Sequence, residues 1–314
     1  MAVAEGSTPD DERPVRWYQR RWLHLVLGLL VAFAAITWSG QRGTDGVRAN
    51  LDVRLRDAGA GADAALVTLE SEHLSALRAI TFTRGVAHAL AQRDPTTLNE
   101  LVTPLQANSN VPMVDVILPN GRVELAVRSK GAPAPVASRA GMPAIRQALR
   151  EARGDRGGRF TELVIFRSGP TIVTIGPLLD ANKPVGVVLV MTPLADALGR
   201  LSQEVGTTLT AYATNGTPIA TTAAFRPKSV EPEVARALIG GAAVSIRYVH
   251  GNDREALGRL ILDHQADAVL GVSLNDNSEE TGWAVRLYAA LGLLGAVLIF
   301  VSFSVRIVNR RWPG

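Results

Sequence analysis

Residues 111–131 read VPMVDVILPNGRVELAVRSKG: an apolar run, then Pro-Asn-Gly, then a second run of strand formers. Asn-Gly between two such runs is a strong short-range hairpin signal, because both residues tolerate positive φ. Residues 207–222, TTLTAYATNGTPIATT, repeat the order strand, Asn-Gly, strand. The closing ends of the two copies match as well. Residues 178–190 read LLDANKPVGVVLV and residues 261–272 read ILDHQADAVLGV. Each has Leu-Asp at a strand end, a polar turn, and an apolar strand holding Gly186 or Gly271. A chain that opens and closes the same unit twice is constrained to two related modules in tandem.

The segments between these ends complete the units. In the first, strands are predicted over 113–118 and 122–128, followed by a loop over 130–140 rich in Gly, Ala and Pro. A helix is predicted over 143–153. Strands follow over 159–167, 171–178 and 184–192, the first two turning at Ser168-Gly169-Pro170. A helix over 194–205 leads into the second unit. That unit has predicted strands over 209–213 and 218–222, and a helix over 232–239 with Gly240 as its C′ residue. Strands over 243–250, 256–262 and 268–274 close it. The fold class is α+β, with antiparallel sheets.

Ahead of these units, residues 45–92 carry a helical pattern. Val47, Leu51, Leu55, Ala58, Ala62, Leu66, Leu69, His73, Leu77 and Ile80 recur mostly at steps of three and four. Gly59 and Gly61 weaken the helix locally. Such a helix can pair with its copy in a homodimer or pack on its own domain, the latter for its second half. His73 on this stripe reads as a core or interface residue. Asp94-Pro95 is a break, with Asp94 suited to an N-cap and Pro95 to the first helical position of a short helix ending near Gln106.

Two apolar segments frame the whole. The first is 23–38, LHLVLGLLVAFAAITW, and the second is 283–305, WAVRLYAALGLLGAVLIFVSFSV. Trp17, Tyr18, Trp22 and Trp38 suit the interfaces of a span, and Arg286 and Tyr288 can snorkel. Arg13, Arg16, Arg20 and Arg21 precede the first segment; Arg306, Arg310 and Arg311 follow the second. The positive-inside rule then places both termini in the cytoplasm and the region between outside. The net charge of +4 is therefore a membrane signature, with no nucleic-acid partner expected. A cleaved signal peptide is the rival, but the one A-x-A pattern, Ala32-Phe33-Ala34, falls inside the apolar run.

The expected organisation is a cytoplasmic tail (1–21), a first span (22–38), a helical stalk (39–109), a membrane-distal module (110–194), a membrane-proximal module (195–282), a second span (283–305) and a tail (306–314). That last tail is too short for an output domain. The sequence reads as a sensory subunit acting through a partner, or as the sensory part of a longer design.

Catalytic patterns are missing. There is no cysteine, so thiolate metals and a Cys nucleophile are excluded. No G-x-S-x-G, P-loop, Rossmann fingerprint or H-E-x-x-H occurs. His250 and His264 with Asp253, Asp263 and Asp267 fit no standard metal spacing, and the acidic stretch 275–280 lacks the calcium-loop pattern. No enzyme activity, cofactor or metal is expected.

The long helix after the first span, the hairpin LPNGRVELA, the run TIVTIGPLLDANKPVGVVLVMTPL, its second edition RLILDHQADAVLGVSL and the immediate return to an apolar segment resemble the Cache family of bacterial extracellular sensor domains, in its double form. The resemblance covers about residues 44–276. It implies a PAS-like sheet in each module, a long helix packed along both, and a small ligand bound in the distal module. It also implies that binding shifts the helix leading back to the membrane and so signals to a partner protein. Amino-acid-sensing members carry an Arg with nearby Trp and Tyr before the third strand. The corresponding GMPAIRQALREARGDRGG, 141–158, has Arg146, Arg150 and Arg153 but no aromatic, and Met191 stands where those members place an acid. An organic anion held by arginine is the better match. The candidate ligand contacts are Arg128, Arg146, Glu162, Arg167 and Thr174. Set against them are plainer roles: Arg128 ending a strand, Arg146 and Arg167 in solvent, Glu162 facing outward. The rival functions are a protein-binding or assembly module and an extracytoplasmic hydrolase.

Overall fold

The computed structural model describes the backbone of residues 15–152, 157–248, 253–263 and 265–275, with isolated positions between 284 and 292. Two compact units are present: residues 53–275, and the two ends, 1–52 with 276–314. Apart from Ala34 and Trp38, the side chains of the expected first span lie outside the described residues. So do almost all of the expected second span, His250, His264 and most of the acidic stretch 275–280. Among the described residues no helix is long and apolar enough to cross a membrane.

The first helix, α1 (Val15–Phe82), carries the expected stripe into the central unit. Leu55, Ala62, Leu66, Leu69, His73, Leu77 and Ile80 are all buried there. The apolar face thus packs on its own domain along both halves of this stretch. Gly59 and Gly61 do not interrupt it. The helix stops at Phe82 rather than running on to Gln92, and the chain turns at Gly85, φ 95°, into α2 (Val86–Gln92). The Asp94 carboxylate then accepts from the Thr96 and Thr97 amides, both at 3.1 Å, and starts α3 (Pro95–Ala107). Two of the amides left unpaired at a helix start are satisfied in this way.

Among the described residues ten strands follow, in two antiparallel sheets. The first module contains β1 (Met113–Ile117), β2 (Val123–Arg128), α4 (Pro143–Arg150), β3 (Phe160–Phe166), β4 (Gly169–Asp180) and β5 (Lys183–Pro193). Helix α5 (Leu194–Val205) connects it to the second module: β6 (Thr208–Tyr212), β7 (Pro218–Thr221), α6 (Pro232–Ile239), β8 (Ser245–Tyr248), β9 (Asp253–Leu262) and β10 (Gln265–Asn275). The sheet orders are β2-β1-β5-β4-β3 and β7-β6-β10-β9-β8, the same arrangement built twice. The repeat read from the hairpins and strand ends is therefore a repeat of topology.

The hairpin turns are themselves equivalent, though not in the form the sequence suggested. Only the glycines, Gly121 at φ 83° and Gly216 at φ 80°, are left-handed; Asn120 and Asn215 are not. The Gly121 and Gly216 amides donate to the carbonyls of Leu118 and Ala213, both at 2.8 Å. Each Asn side chain accepts from the amide two residues on, at 3.0 Å. These are longer loops closed by a left-handed glycine, with a register shift in each pair of strands. A hairpin turn with two successive left-handed residues is found at Ala181-Asn182, between β4 and β5.

The first sheet is covered on both faces, which explains the continuous apolar run of β5. Val114, Val116, Leu178, Val188 and Val190 pack with Leu77, Ile80, Leu90 and Leu98 from the α1–α3 side. On the other face Met113, Ile117, Val173, Ile175, Leu189 and Met191 pack with Met142, Ile145 and Ala148 of the α4 side. The modules meet where the Leu163 amide of edge strand β3 donates to Asp267 Oδ2 of β10, at 3.1 Å.

Candidate functional site

Burial within apolar strands selects the polar residues that matter. Asp115 sits in the middle of MVDVI and is fully buried, on the α4 face of the first sheet. An isolated carboxylate there would be prohibitively unstable, so it must be paired. Two arginines reach it. Arg128, at the end of β2, donates from Nη2 to Asp115 Oδ1 and from Nη1 to the carbonyls of Val114 (3.0 Å) and Val127 (2.9 Å). Arg139, from the loop before α4, donates to Asp115 Oδ2 from Nε (3.2 Å) and Nη2 (3.0 Å). Its guanidinium lies over the Phe166 ring, 4.2 Å from the centroid, with Nη2 3.7 Å from the Met191 sulfur. Each arginine side chain keeps 11% of its surface exposed. Arg139 is thus held on three sides before any ligand arrives, which lowers the ordering cost of binding.

Arg139 also forms the wall of an open cavity of about 760 Å³. Val136, Ser138, Met142 and Pro143 line one side; Glu162, Leu163, Phe166 and Arg167 line the other. The loop is fastened beside it by the Arg139 amide donating to the Gly121 carbonyl (2.7 Å) and the Val123 amide donating to the Ala137 carbonyl (3.0 Å). The cavity size suits a small molecule. Burial raises the Glu162 pKa above the ordinary carboxylate range, and the Asp267 carboxylate raises it further.

Of the five residues expected from the sequence, Glu162 and Arg167 line this cavity. Arg128 stands behind the wall, in the Asp115 cluster. Arg146 is exposed on α4 and is not among the lining residues. Thr174 points to the opposite face. Its hydroxyl is 3.1 Å from His73 Nδ1 and 2.9 Å from the Thr161 hydroxyl, while His73 Nε2 is 2.8 Å from the Thr192 hydroxyl. His73 is thus the interface residue expected, locking α1 to β4 and β5. Burial, and secondarily the Arg200 charge, lower its pKa to about 4. Sequence reasoning missed Asp115 and Arg139. A lone acid inside an apolar strand was the available signal for the first. For Arg139, in a Gly- and Pro-rich loop, there was none.

The second module fills the corresponding face differently. Glu255 is fully buried on β9. It accepts from the Tyr212 hydroxyl (2.7 Å) and from Arg247 Nε (2.9 Å). Arg247 also donates to the carbonyls of Lys228 (2.8 Å) and Ser229 (2.7 Å), tying down the loop before α6. Gly271 makes room for the carboxylate: a Cβ there would fall 2.1 Å from Glu255 Oε1. Among the described residues no group of three or more His, Asp or Glu side chains could hold a metal ion.

No family model and no curated protein matches the chain. Solved structures do. The chain is similar to a domain assigned to the sensory box/GGDEF family from Vibrio parahaemolyticus, at 11% identity over 76% of this chain and 99% of that one, with a TM-score of 0.51. It is similar to the sensor domain of the histidine kinase DctB from V. cholerae, at 10% identity over 73% and 97%, with a TM-score of 0.50. A third is the ligand-binding domain of the Campylobacter jejuni chemoreceptor Tlp3 in complex with 4-methylisoleucine, at 12% identity over 75% and 93%, with a TM-score of 0.50. The shared feature is the architecture, and residues 53–275 accordingly have the tandem PAS-like, Cache-type fold of bacterial extracellular sensor domains.

Proposed function

We propose that this chain is a bacterial membrane sensor whose first module binds a small organic anion outside the cytoplasm. The observation that carries the proposal is the cavity of about 760 Å³ walled by an arginine already fixed by Asp115, Met191 and Phe166. Arg167 at the cavity adds a second cation, and Glu162 offers a hydrogen-bond partner. The apolar segments 23–38 and 283–305 with their flanking arginines support a two-span topology with both termini cytoplasmic. The signal passes through β10, which receives the Leu163 amide of the cavity strand on Asp267 and directly precedes the second apolar segment. Its receiver is a partner signalling protein or a second copy of the chain.

The test is thermal unfolding of the purified full-length chain against organic acids, amines, amino acids and purines. A ligand that binds only the folded state stabilises it by about 2.7 kcal/mol at a hundredfold excess over its dissociation constant. Organic acids should raise the midpoint, and Arg167→Ala should reduce the shift. A flat response to every acid would overturn the ligand-site reading. Topology is separately accessible because the chain lacks cysteine. With Arg150→Cys, an impermeant maleimide should label intact cells (stripped of any outer membrane); with Ala4→Cys it should label only lysed ones. Labelling of both, or of Ala4→Cys alone, would refute the orientation.

A further inference from the structure

The two modules differ in how many arginines serve one buried carboxylate, and that difference bears on the ligand. In the second module one arginine, Arg247, serves Glu255, and the Tyr212 hydroxyl donates as a neutral group. Formal charge balances there. In the first module, among the described residues, Asp115 is the one carboxylate that pairs with Arg128 and Arg139. The carbonyls of Val114 and Val127 orient Arg128 but carry no charge, and Arg128 Nε is buried without a hydrogen-bond partner among the described residues. The cluster therefore holds one surplus positive charge. Glu162 and Arg167, the other charged residues lining the cavity, cancel each other when both are ionised. The PAS-like sheet does not itself demand this surplus, since the second module is built on the same topology without it. A guanidinium removed from water is stabilised by a counter-charge. The cavity beside Arg139 is where one can enter.

We propose that Asp115 selects the ligand's charge. With Asp115 ionised, the arginine pair accepts one more negative charge, so the cavity takes monoanions, with a monocarboxylate as the natural class. A second ligand carboxylate would meet the Glu162 carboxylate, which offsets Arg167, and among the described residues no further cation lines the cavity. The inference rests on the cavity being the ligand site. Within that site Asp115 is a specificity-determining residue that never has to touch the ligand. It acts by neutralising half of the arginine pair and by holding the Arg139 guanidinium over the Phe166 ring.

The experiment titrates butyrate and succinate, equal in chain length, into the full-length chain and follows binding by NMR. The wild-type chain should bind succinate no more tightly than butyrate. Asp115→Asn removes one negative charge from a low-dielectric wall, and the succinate-to-butyrate affinity ratio should rise about tenfold or more. Arg128→Gln removes a positive charge from the same cluster and should shift the ratio the opposite way, weakening both acids. This second variant leaves Asp115 paired with Arg139, so it decides the matter if Asp115→Asn does not fold. An unchanged ratio in folded Asp115→Asn, or a ratio that rises in Arg128→Gln, overturns the assignment of Asp115 while the ligand site stands. Failure of both acids to bind any cooperatively folded form overturns the ligand site itself.

Discussion

The two modules have the same strand order, equivalent hairpin turns and a proline-initiated helix over the same face, yet their interiors are put to different uses. In the second, Tyr212, Glu255 and Arg247 close on one another, and Arg247 clamps the loop above. In the first, Asp115 is shared by two arginines and one of them opens onto a cavity. A repeated backbone does not repeat its chemistry. Strand register decides which positions face the helix-covered side, and side-chain identity at a few of them decides whether that side becomes a closed core or a wall that opens onto a cavity.

The sharpest challenge to this contrast removes one arginine from each module. Arg247→Gln leaves Glu255 buried without a cationic partner and should destabilise the chain by about 3–5 kcal/mol. Arg128→Gln leaves Asp115 still held by Arg139 and should cost only about 1 kcal/mol. Chemical denaturation of both variants reads the difference directly. Equal losses would mean that the two clusters are alike and that the surplus charge of the first has no consequence.

An effect next in size belongs to His73, which fastens α1 to the first sheet. Above pH 6.5 neither folded nor unfolded chain holds a proton on this ring. As pH falls from 6.5 toward the folded value of about 4, only the unfolded chain takes up the proton. Stability from this residue therefore falls by about 3 kcal/mol across that window and levels off below it. Denaturation midpoints measured from neutral pH downward should show the slope, and His73→Gln should flatten it. A wild-type slope that survives the substitution would place the acid sensitivity in other groups.

The smallest expected effect is on stability at the cavity rim. Arg167 is exposed, so Arg167→Ala should change the unfolding free energy by no more than about 0.5 kcal/mol while weakening anion binding. Arg146→Ala, exposed on α4 away from the lining, should change neither. A loss of binding in Arg146→Ala with binding intact in Arg167→Ala would relocate the site to the outer side of α4.

Much of the architecture was legible before any coordinates. Alternation, turn residues and the repeated ends located all ten strands and the helices between them, because those signals depend on local sterics and on which side of each element is apolar. Helix α5 and helix α6 begin and end at the predicted residues. The break at Gly85 escaped notice because the apolar spacing continues through Val86, Ala89 and Leu90, which are buried on the new helix α2 instead. The turn form at Asn120-Gly121 also escaped, since the dipeptide alone does not distinguish a two-residue loop from a longer one closed by a bulge.

The site was only partly legible. Glu162 and Arg167 could be proposed because both lie on the predicted strand 159–167 of the module that the resemblance assigns to the ligand, Arg167 just before its turn. Thr174 lies on the face of the sheet opposite the cavity, beside His73, which is about a hundred residues earlier in the chain. What the sequence by itself determined is the element order, the duplication and the alternation of faces, all consequences of interactions within a few residues. What only the tertiary structure decided is that Asp115, Arg128 and Arg139 converge on one buried point and that Arg139 faces a cavity. The physical reason is that a buried charge is satisfied by whichever residues the folded sheet and loop bring within hydrogen-bonding distance, and nothing in their spacing along the chain records that meeting.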